Sequence, residues 1–350
     1  ESTLLNTLEE HERVMKDVHR WVEIQYVFLK HSEFIEGKGN MIHSKSLKAA
    51  CSKLRLSSRT IEKAKNDFGL NEPIYKQYMV FLQKTIMLDL GVSLRTKQPV
   101  LTELSKRFSA TFELVFFSMI IALLFGFPMG LVSALNQNKR LDYFFRGFGY
   151  LGLSIPVFWL GMILQIIFFG ILYWLPLQGR YSGIVLQDSP IIYNSGFILI
   201  DSFFSGEWGS FTDALRHIIL PAFAMAFGVL GIVFRTTRSA TIDIMSAPFF
   251  RTFKFYGIKN SEIIKKSGYK NTLIPVSTVV GLSFGLMLGG TFLVESIFDW
   301  PGVGQFSVLS ILTRDFPAIV GVTILYSFIY VIINFFIDML YIIVDPRIRD

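Results

Sequence analysis

The sequence predicts an all-α, multi-pass membrane protein, and three observations carry that reading. Half of the 350 residues are apolar (51%), 35 of them phenylalanine, which is too greasy for an ordinary soluble domain. Only 17% of residues are charged, and those charges avoid five stretches, about Thr111–Leu135, Gly147–Leu175, His217–Phe234, Thr272–Val294 and Pro317–Val344. Each holds roughly 18 residues or more, the length a helix needs to cross the hydrocarbon core, and an open sheet cannot span lipid because its edge groups go unbonded. Lastly, lysine and arginine alternate in abundance from loop to loop, as they do in a chain that threads a membrane repeatedly.

Residues 1–110 precede the first span. Within 1–40, Leu4, Leu8, Met15, Val18, Val22 and Leu29 recur at helical spacings, an amphipathic pattern. His11 and His19 lie there among acidic residues, but their spacing matches no metal-ligand pattern, so a solvated charged face is expected. A second helix over Ser57–Phe68 closes at Gly69, Asn71-Glu72-Pro73 turns the chain, and a further helix covers Tyr75–Thr85, which together read as a small cap.

Among the spans, Gly126 and Gly130 flank Pro128, and Gly281, Gly285 and Gly289 lie four apart, so both sets permit close helix contact, with a partner or within the chain. Pro128, Pro156 and Pro221 mark possible kinks. Glu113 opens its span and is expected at the interface; Asp338, an intramembrane carboxylate near the cytoplasmic end of the last span, is expected to pair with Arg347 or cap a neighbour rather than relay protons. Isolated polar groups Ser154, Gln165, Ser277, Ser283 and Asn334 are candidates to line a path through the bundle.

The most informative passage lies between the third and fourth spans. Pro248 suits a first helical position, Gly257 the left-handed residue past a helix end, and Asn260 or Ser261 a cap for a second short helix. Gly268 is expected to end that helix and Pro275 to open the next span. The result is a helix–turn–helix elbow at the membrane surface, suited to a subunit on which a soluble motor pushes. At the other end of the fourth span, Glu295 and Asp299 are expected as charges at the membrane edge, Trp300 as an interface anchor, and Pro301-Gly302 as a turn, with Gly302-Val303-Gly304 a tight turn rather than a nucleotide fingerprint.

Orientation follows the basic residues. Lys139, Arg140 and Arg146, the elbow's Arg235, Arg238, Arg251, Lys254, Lys259, Lys265, Lys266 and Lys270, and the tail's Arg347 and Arg349 fall on one face. The opposite connections, residues 176–216 and 296–316, hold only Arg180, Arg216 and Arg314. The basic face is expected to be cytoplasmic, so the net charge of +7 is a topology signal and implies no nucleic-acid partner. Residues 1–110 then lie outside, which requires a span ahead of them: five of at least six helices are expected here. The single cysteine, Cys51, forms no internal disulfide. No Gly-x-x-x-x-Gly-Lys-Ser/Thr loop, His-Glu-x-x-His, Gly-x-Ser-x-Gly or Cys-x-x-Cys occurs, which argues against ATP hydrolysis or enzymatic catalysis by this chain.

Several runs carry a family resemblance: Leu215-Arg216-His217-Ile218-Ile219-Leu220-Pro221, Arg235-Thr236-Thr237-Arg238, the elbow 251–257, and Leu288-Gly289-Gly290-Thr291 through Gly304. Upstream, Leu70-Asn71-Glu72-Pro73, Asp89-Leu90-Gly91-Val92-Ser93, Ser154-Ile155-Pro156-Val157-Phe158-Trp159 and Trp174-Leu175-Pro176 follow the same order, and Asp345-Pro346-Arg347 closes it. Over residues 68–350 the chain resembles the first (B-type) inner-membrane permease of oligopeptide/dipeptide ABC importers. Residues 1–40 look like an insertion, and Phe253 stands where the general importer elbow has a small residue.

The resemblance implies an extracellular helical segment over 1–110 and a permease domain over 111–350 with a coupling elbow at 246–270. It implies half of a peptide pore working by alternating access, with a second homologous permease, two cytoplasmic ATPase subunits, an external binding protein and membrane lipid as partners. No cofactor is expected on this chain, and ATP and magnesium belong to the ATPases. Phe249, Phe250, Phe253, Phe255 and Tyr256 are then expected to seat in an ATPase groove, with Arg251 and Lys254 fixing register and Gly257 aiming the second arm. Nickel-chelate and oligosaccharide importers share these motifs and remain alternatives, as does, from another class, a passive channel or ion-coupled carrier.

Overall fold

A computed structural model describes residues 72–183, 185 and 195–344. The patterns read over 1–71, including Cys51 and the two histidines, lie outside the described residues, as do the tail arginines and the side chain of Asp338. The chain divides into two units, residues 1–89 and 90–350. In the first, helix α1 (Ile74–Ile86) follows Pro73, and Lys76 reaches back one turn to Glu72 at 3.0 Å.

Among the described residues of the second unit, the regular elements are helices, apart from an isolated bridge between Val92 and Pro99. Its elements are α2 (Val100–Leu135), α3 (Arg140–Ser154), α4 (Val157–Leu164, running on as a π-helix over Gln165–Ile171), α5 (Ile198–Ser205), α6 (Trp208–Ser246), α7 (Pro248–Phe255) and α8 (Asn260–Ile263, running on as a π-helix over Ile264–Gly268). They continue with α9 (Tyr269–Ile297), α10 (Val303–Leu312) and α11 (Phe316–Val344). Helices α2, α6, α9 and α11 are long and apolar enough to cross a membrane, and the bent pair α3–α4 makes up to a fifth crossing.

Helix α6 is the axis of the bundle. Of its apolar window 78% is buried within the chain, against 33% for α2, 28% for α9 and 17% for α11. Lipid tails give apolar side chains no reason to prefer one another, so helices in a membrane associate by close packing and hydrogen bonds. Here the packing is backbone against backbone. A methyl on Gly130 would stand 2.6 Å from Thr237 Cβ and 2.9 Å from the Phe234 carbonyl oxygen, and one on Gly152 would stand 2.6 Å from the Phe227 carbonyl oxygen. The glycines of α2 and α3 therefore form a seam inside this chain, against α6. Gly285 of α9 instead packs against the ring of Tyr330 of α11, whereas nothing lies within 4 Å of the Cβ position at Gly289.

Two local expectations are corrected, and the kink expected at Pro156 is a full break. The second span is not one rod: α3 and α4 meet at 104°. Pro156 forces Ile155 out of the helical region (ψ 123°), and α3 stops there. Gly268 does not end a helix; it is helical itself (φ −87°, ψ −32°), and the chain passes through the π-turns 264–268 directly into α9. Pro275 does not open the next span either. Like Pro128 and Pro221, it lies inside a helix, the one lost backbone bond being tolerable where neighbouring helices hold the rod.

Gly130→Ala and Gly147→Ala add the same methyl, the first against α6 and the second into open space. The first is expected to cost about 1–3 kcal/mol and lower the thermal unfolding midpoint of the detergent-purified protein, and the second to leave it unchanged.

Candidate functional site

The elbow begins where α6 ends. Ala247 is extended (ψ 149°), and Pro248, which lacks an N–H, takes the first position of α7, where no partner for one exists. The helix ends in a two-bond lock: the Gly257 N–H donates to the Lys254 carbonyl at 3.0 Å, and the Ile258 N–H to the Phe253 carbonyl at 3.3 Å. That pattern requires a left-handed residue, and Gly257 supplies it with φ +76°. Lys259, extended, then precedes α8; no side chain caps it, so Asn260 and Ser261 are the helix's first residues rather than its cap.

The aromatic residues of α7 divide between two faces. Phe250 is buried with Ile244 of α6, Ile263 and Ile264, against Leu131 and Leu135 at the end of α2. It therefore corrects the expectation that all five rings are offered outward: Phe250 fastens the elbow to the spans. Phe249 and Phe253 are partly open, and Phe255 and Tyr256 stand out at 91% and 80% exposure. Arg251, Lys254 and Lys259 are exposed around them.

A second tie stiffens the same end. The buried Asp142 carboxylate accepts both Arg238 Nε at 2.8 Å and Arg238 Nη2 at 2.9 Å, a forked pair. Ser133 Oγ donates to it at 2.6 Å and the Asn138 N–H at 3.0 Å. One carboxylate thus holds the end of α2, the α2–α3 turn, α3 and α6 together. In the sequence Arg238 reads as a topology charge, and the signal that it has a partner is Asp142, an acid in an otherwise basic connection.

The opposite end differs from its expectation. Glu295 is no edge charge: it is fully buried, accepting from Thr111 Oγ1 at 2.7 Å and the Gln305 N–H at 2.8 Å. The Thr111 hydroxyl in turn accepts the Val303 N–H at 2.8 Å. The carboxylate therefore meets the free amides of the first turn of α10, where a helix favours negative charge. Trp300 is not an interface anchor but 1% exposed, its indole N–H donating to the Ala110 carbonyl at 2.9 Å. Gly302 is extended (φ −98°), so its requirement is space: a Cβ would overlap the Glu295 carboxylate. Gly304 lies buried against Thr291 and the Phe292 backbone, while Asp299 and Pro301 are exposed, Asp299 accepting from Gln305 Nε2 at 2.6 Å.

Glu113, expected at the interface, is likewise buried. It pairs with Arg180 and accepts the Leu199 N–H at the start of α5 at 2.8 Å. The Arg180 guanidinium lies 5.6 Å from the Trp300 ring.

The five polar candidates do not converge. Gln165 ties two connections, donating to the Leu177 and Ile297 carbonyls at 3.0 and 3.1 Å. Ser154 and Ser277 bond carbonyls in their own helices, Ser283 is buried, and Asn334 is half-buried. None of them lines the groove of ≈ 390 Å³ between α9 and α11, which Gly285, Gly289, Tyr326 and Tyr330 border.

Comparison with known proteins decides what kind of chain this is. The family described as binding-protein-dependent transport system inner membrane component matches residues 126–350. The chain belongs to that family. It is the permease component of an ABC importer, a multi-pass membrane transport subunit and not an enzyme. It is 40% identical to a probable D,D-dipeptide transport system permease protein of Escherichia coli K12, over 84% of this chain and 86% of that one. It is 38% identical to a dipeptide transport system permease protein of Alkalihalophilus pseudofirmus (84% and 87%) and 35% identical to a glutathione transport system permease protein of Pectobacterium atrosepticum (83% and 84%). Among solved structures, an inward-facing MetNI methionine ABC transporter shares the fold at a TM-score of 0.50 and 13% identity, over 67% of this chain and 93% of that one.

Glu295→Ala strips the acceptor from the Thr111 hydroxyl and the Gln305 N–H, at an expected cost of about 1–3 kcal/mol per buried group left unpaired. Gly302→Val drives a side chain into the carboxylate. Both are expected to lower the thermal midpoint of the permease, while Glu295→Gln, keeping one acceptor oxygen, lowers it less.

Proposed function

We propose that this chain forms one half of the translocation path of an ATP-driven peptide importer, and that its elbow is the surface on which a cytoplasmic ATPase subunit pushes. The observation that carries the reading is the two-faced α7. Phe250 fixes the helix to α2 and α6, while Phe253, Phe255 and Tyr256 stand exposed with Arg251 and Lys254 beside them. Large aromatics and arginine at an exposed, rigid tip are what a protein partner's pocket recognises.

The transmission is mechanical. Because Phe250 and the Asp142–Arg238 fork lock the elbow end to three helices, a force on the tip moves α2, α3 and α6 as one body. ATP-driven closure of two ATPase subunits, one on each permease, then tilts the two halves between inward- and outward-open states. ATP and magnesium stay on the ATPases, a second similar permease supplies the other half of the path, and an external binding protein delivers substrate at the end away from the elbow. The basic loops support a cytoplasmic position for the elbow. Peptides are the substrate class favoured by the dipeptide and glutathione permeases among the relatives, ahead of nickel chelates or oligosaccharides.

The test is uptake of labelled dipeptide into liposomes carrying the full complex, with and without internal ATP. Gly257→Val meets no neighbour but must hold φ +76°, at a cost of roughly 1 kcal/mol or more for a branched residue. It is expected to insert normally and to lose most ATP-driven uptake. Uptake by the wild type without ATP, or a nickel chelate or oligosaccharide carried in place of dipeptide, contradicts the reading.

A further inference from the structure

At the end of the second unit away from the elbow, the loop 91–99 is built to hold still. The Val100 N–H donates to the Gly91 carbonyl at 2.9 Å, the Ser93 N–H to Gln98 at 3.0 Å and the Lys97 N–H to Ser93 at 3.0 Å. The loop is pinned to the start of α11 by Asp315, a fully buried carboxylate that accepts Ser93 Oγ at 2.5 Å and the Arg95 N–H at 3.2 Å. This small rigid frame carries cations. Arg95 and Lys97 are exposed on the loop, Arg314 adjoins Asp315, and Lys106 is exposed on the first turns of α2.

Two guanidiniums, those of Arg95 and Arg107, lie over the one Phe306 ring of α10, at 5.8 and 5.1 Å. Arg107 has a carboxylate, Glu103, at 3.0 Å. Among the described residues no acidic side chain pairs with Arg95, Lys97, Lys106 or Arg314. Lys97 and Arg314 also hold left-handed backbone, φ +58° and +56°, a conformation that costs energy for any residue with a Cβ and persists where the surroundings impose it. Like charges gathered on a fixed frame repel one another unless something opposite covers them.

We infer that Arg95, Lys97, Lys106 and Arg314 form a docking patch for an acidic surface of the soluble binding protein. The inference rests on the importer reading, which places this end outside the cell. The neighbouring Glu295–Gly304 run offers less to such a partner, because its Glu295 and Trp300 are buried. Such a patch acts on encounter: it steers the partner in and fixes its register, and its contribution weakens as salt screens it.

The experiment uses the complete complex in nanodiscs of zwitterionic lipid and the peptide-loaded binding protein of the same transport system. It measures the binding-protein concentration that half-saturates stimulated ATP hydrolysis, at low and high salt. For the wild type this concentration is expected to rise several-fold with salt. In Arg95→Glu/Lys97→Glu it should be tenfold or more higher at low salt, nearly independent of salt, with the maximal rate kept; Arg95→Lys/Lys97→Arg should match the wild type. Arg314→Glu, on a different segment, should shift it in the same direction, which guards against a variant loop that fails to fold. Equal half-saturation in wild type and charge-reversed protein overturns the patch alone. A shift seen only in nanodiscs containing anionic lipid overturns it in favour of lipid headgroups. A wild-type complex that no binding protein stimulates overturns the importer reading and the patch with it.

Discussion

The backbone approach of α2 and α3 to α6 is the constraint on which the rest of the second unit depends. In water a helix bundle is held by expelling solvent from its core, but a span surrounded by lipid gains nothing by exchanging a lipid methylene for a leucine. Association must come from contact at short range, and glycine permits the shortest. With Gly126, Gly130, Gly149, Gly152 and Gly231 at the crossings, α6 is wrapped on two sides and its apolar window is mostly buried, while α9 and α11 keep large faces toward lipid or a partner. The central rod then ends in α7, so its rigidity passes to the elbow through Phe250 and the isoleucines around it.

Among the described residues, the buried carboxylates lie toward the two ends of this apolar scaffold, and there they act as bolts. Asp142 with Arg238 closes the elbow end; Glu295 with Thr111, Glu113 with Arg180, and Asp315 with Ser93 close the other. A buried charge without partners is severely destabilising, so each carboxylate is surrounded by donors drawn from separate segments of the chain. Burial of this kind fixes one arrangement of helices more than it adds stability. Under the proposed alternating access, in which each half moves as a unit, a fixed arrangement within each half is the useful property.

Much of this was legible in the sequence, and the parts that were not share a cause. Span positions, the Pro248 start and the Gly257 stop follow from local rules of hydropathy, proline and glycine, and the ordered motifs identify the family. Pro156 as a break follows from its effect on the residue before it. Glu295 and Trp300 misled because charge and tryptophan at the end of a span are the ordinary marks of an interface. Their partners, Thr111 and the Ala110 carbonyl, lie 184 and 190 residues away in sequence, beyond any local pattern. Phe250 is indistinguishable from Phe249 in the sequence; only the fold of α8 against α6 and α2 selects it for burial. Gly268 and Pro275 are helix breakers in water whose effect is overridden where a rod is held by its neighbours.

The central claim is that an ATPase subunit seats on the exposed tip of the elbow. It is tested most directly by a photo-crosslinking residue at Tyr256 in the assembled complex, compared with one at Tyr173. Both positions are 80% exposed, but Tyr173 follows the π-turns of α4, outside the elbow. Illumination is predicted to join this chain to an ATPase subunit from position 256 and not from position 173. An intact complex that gives no such adduct from 256, or gives it equally from 173, contradicts the account.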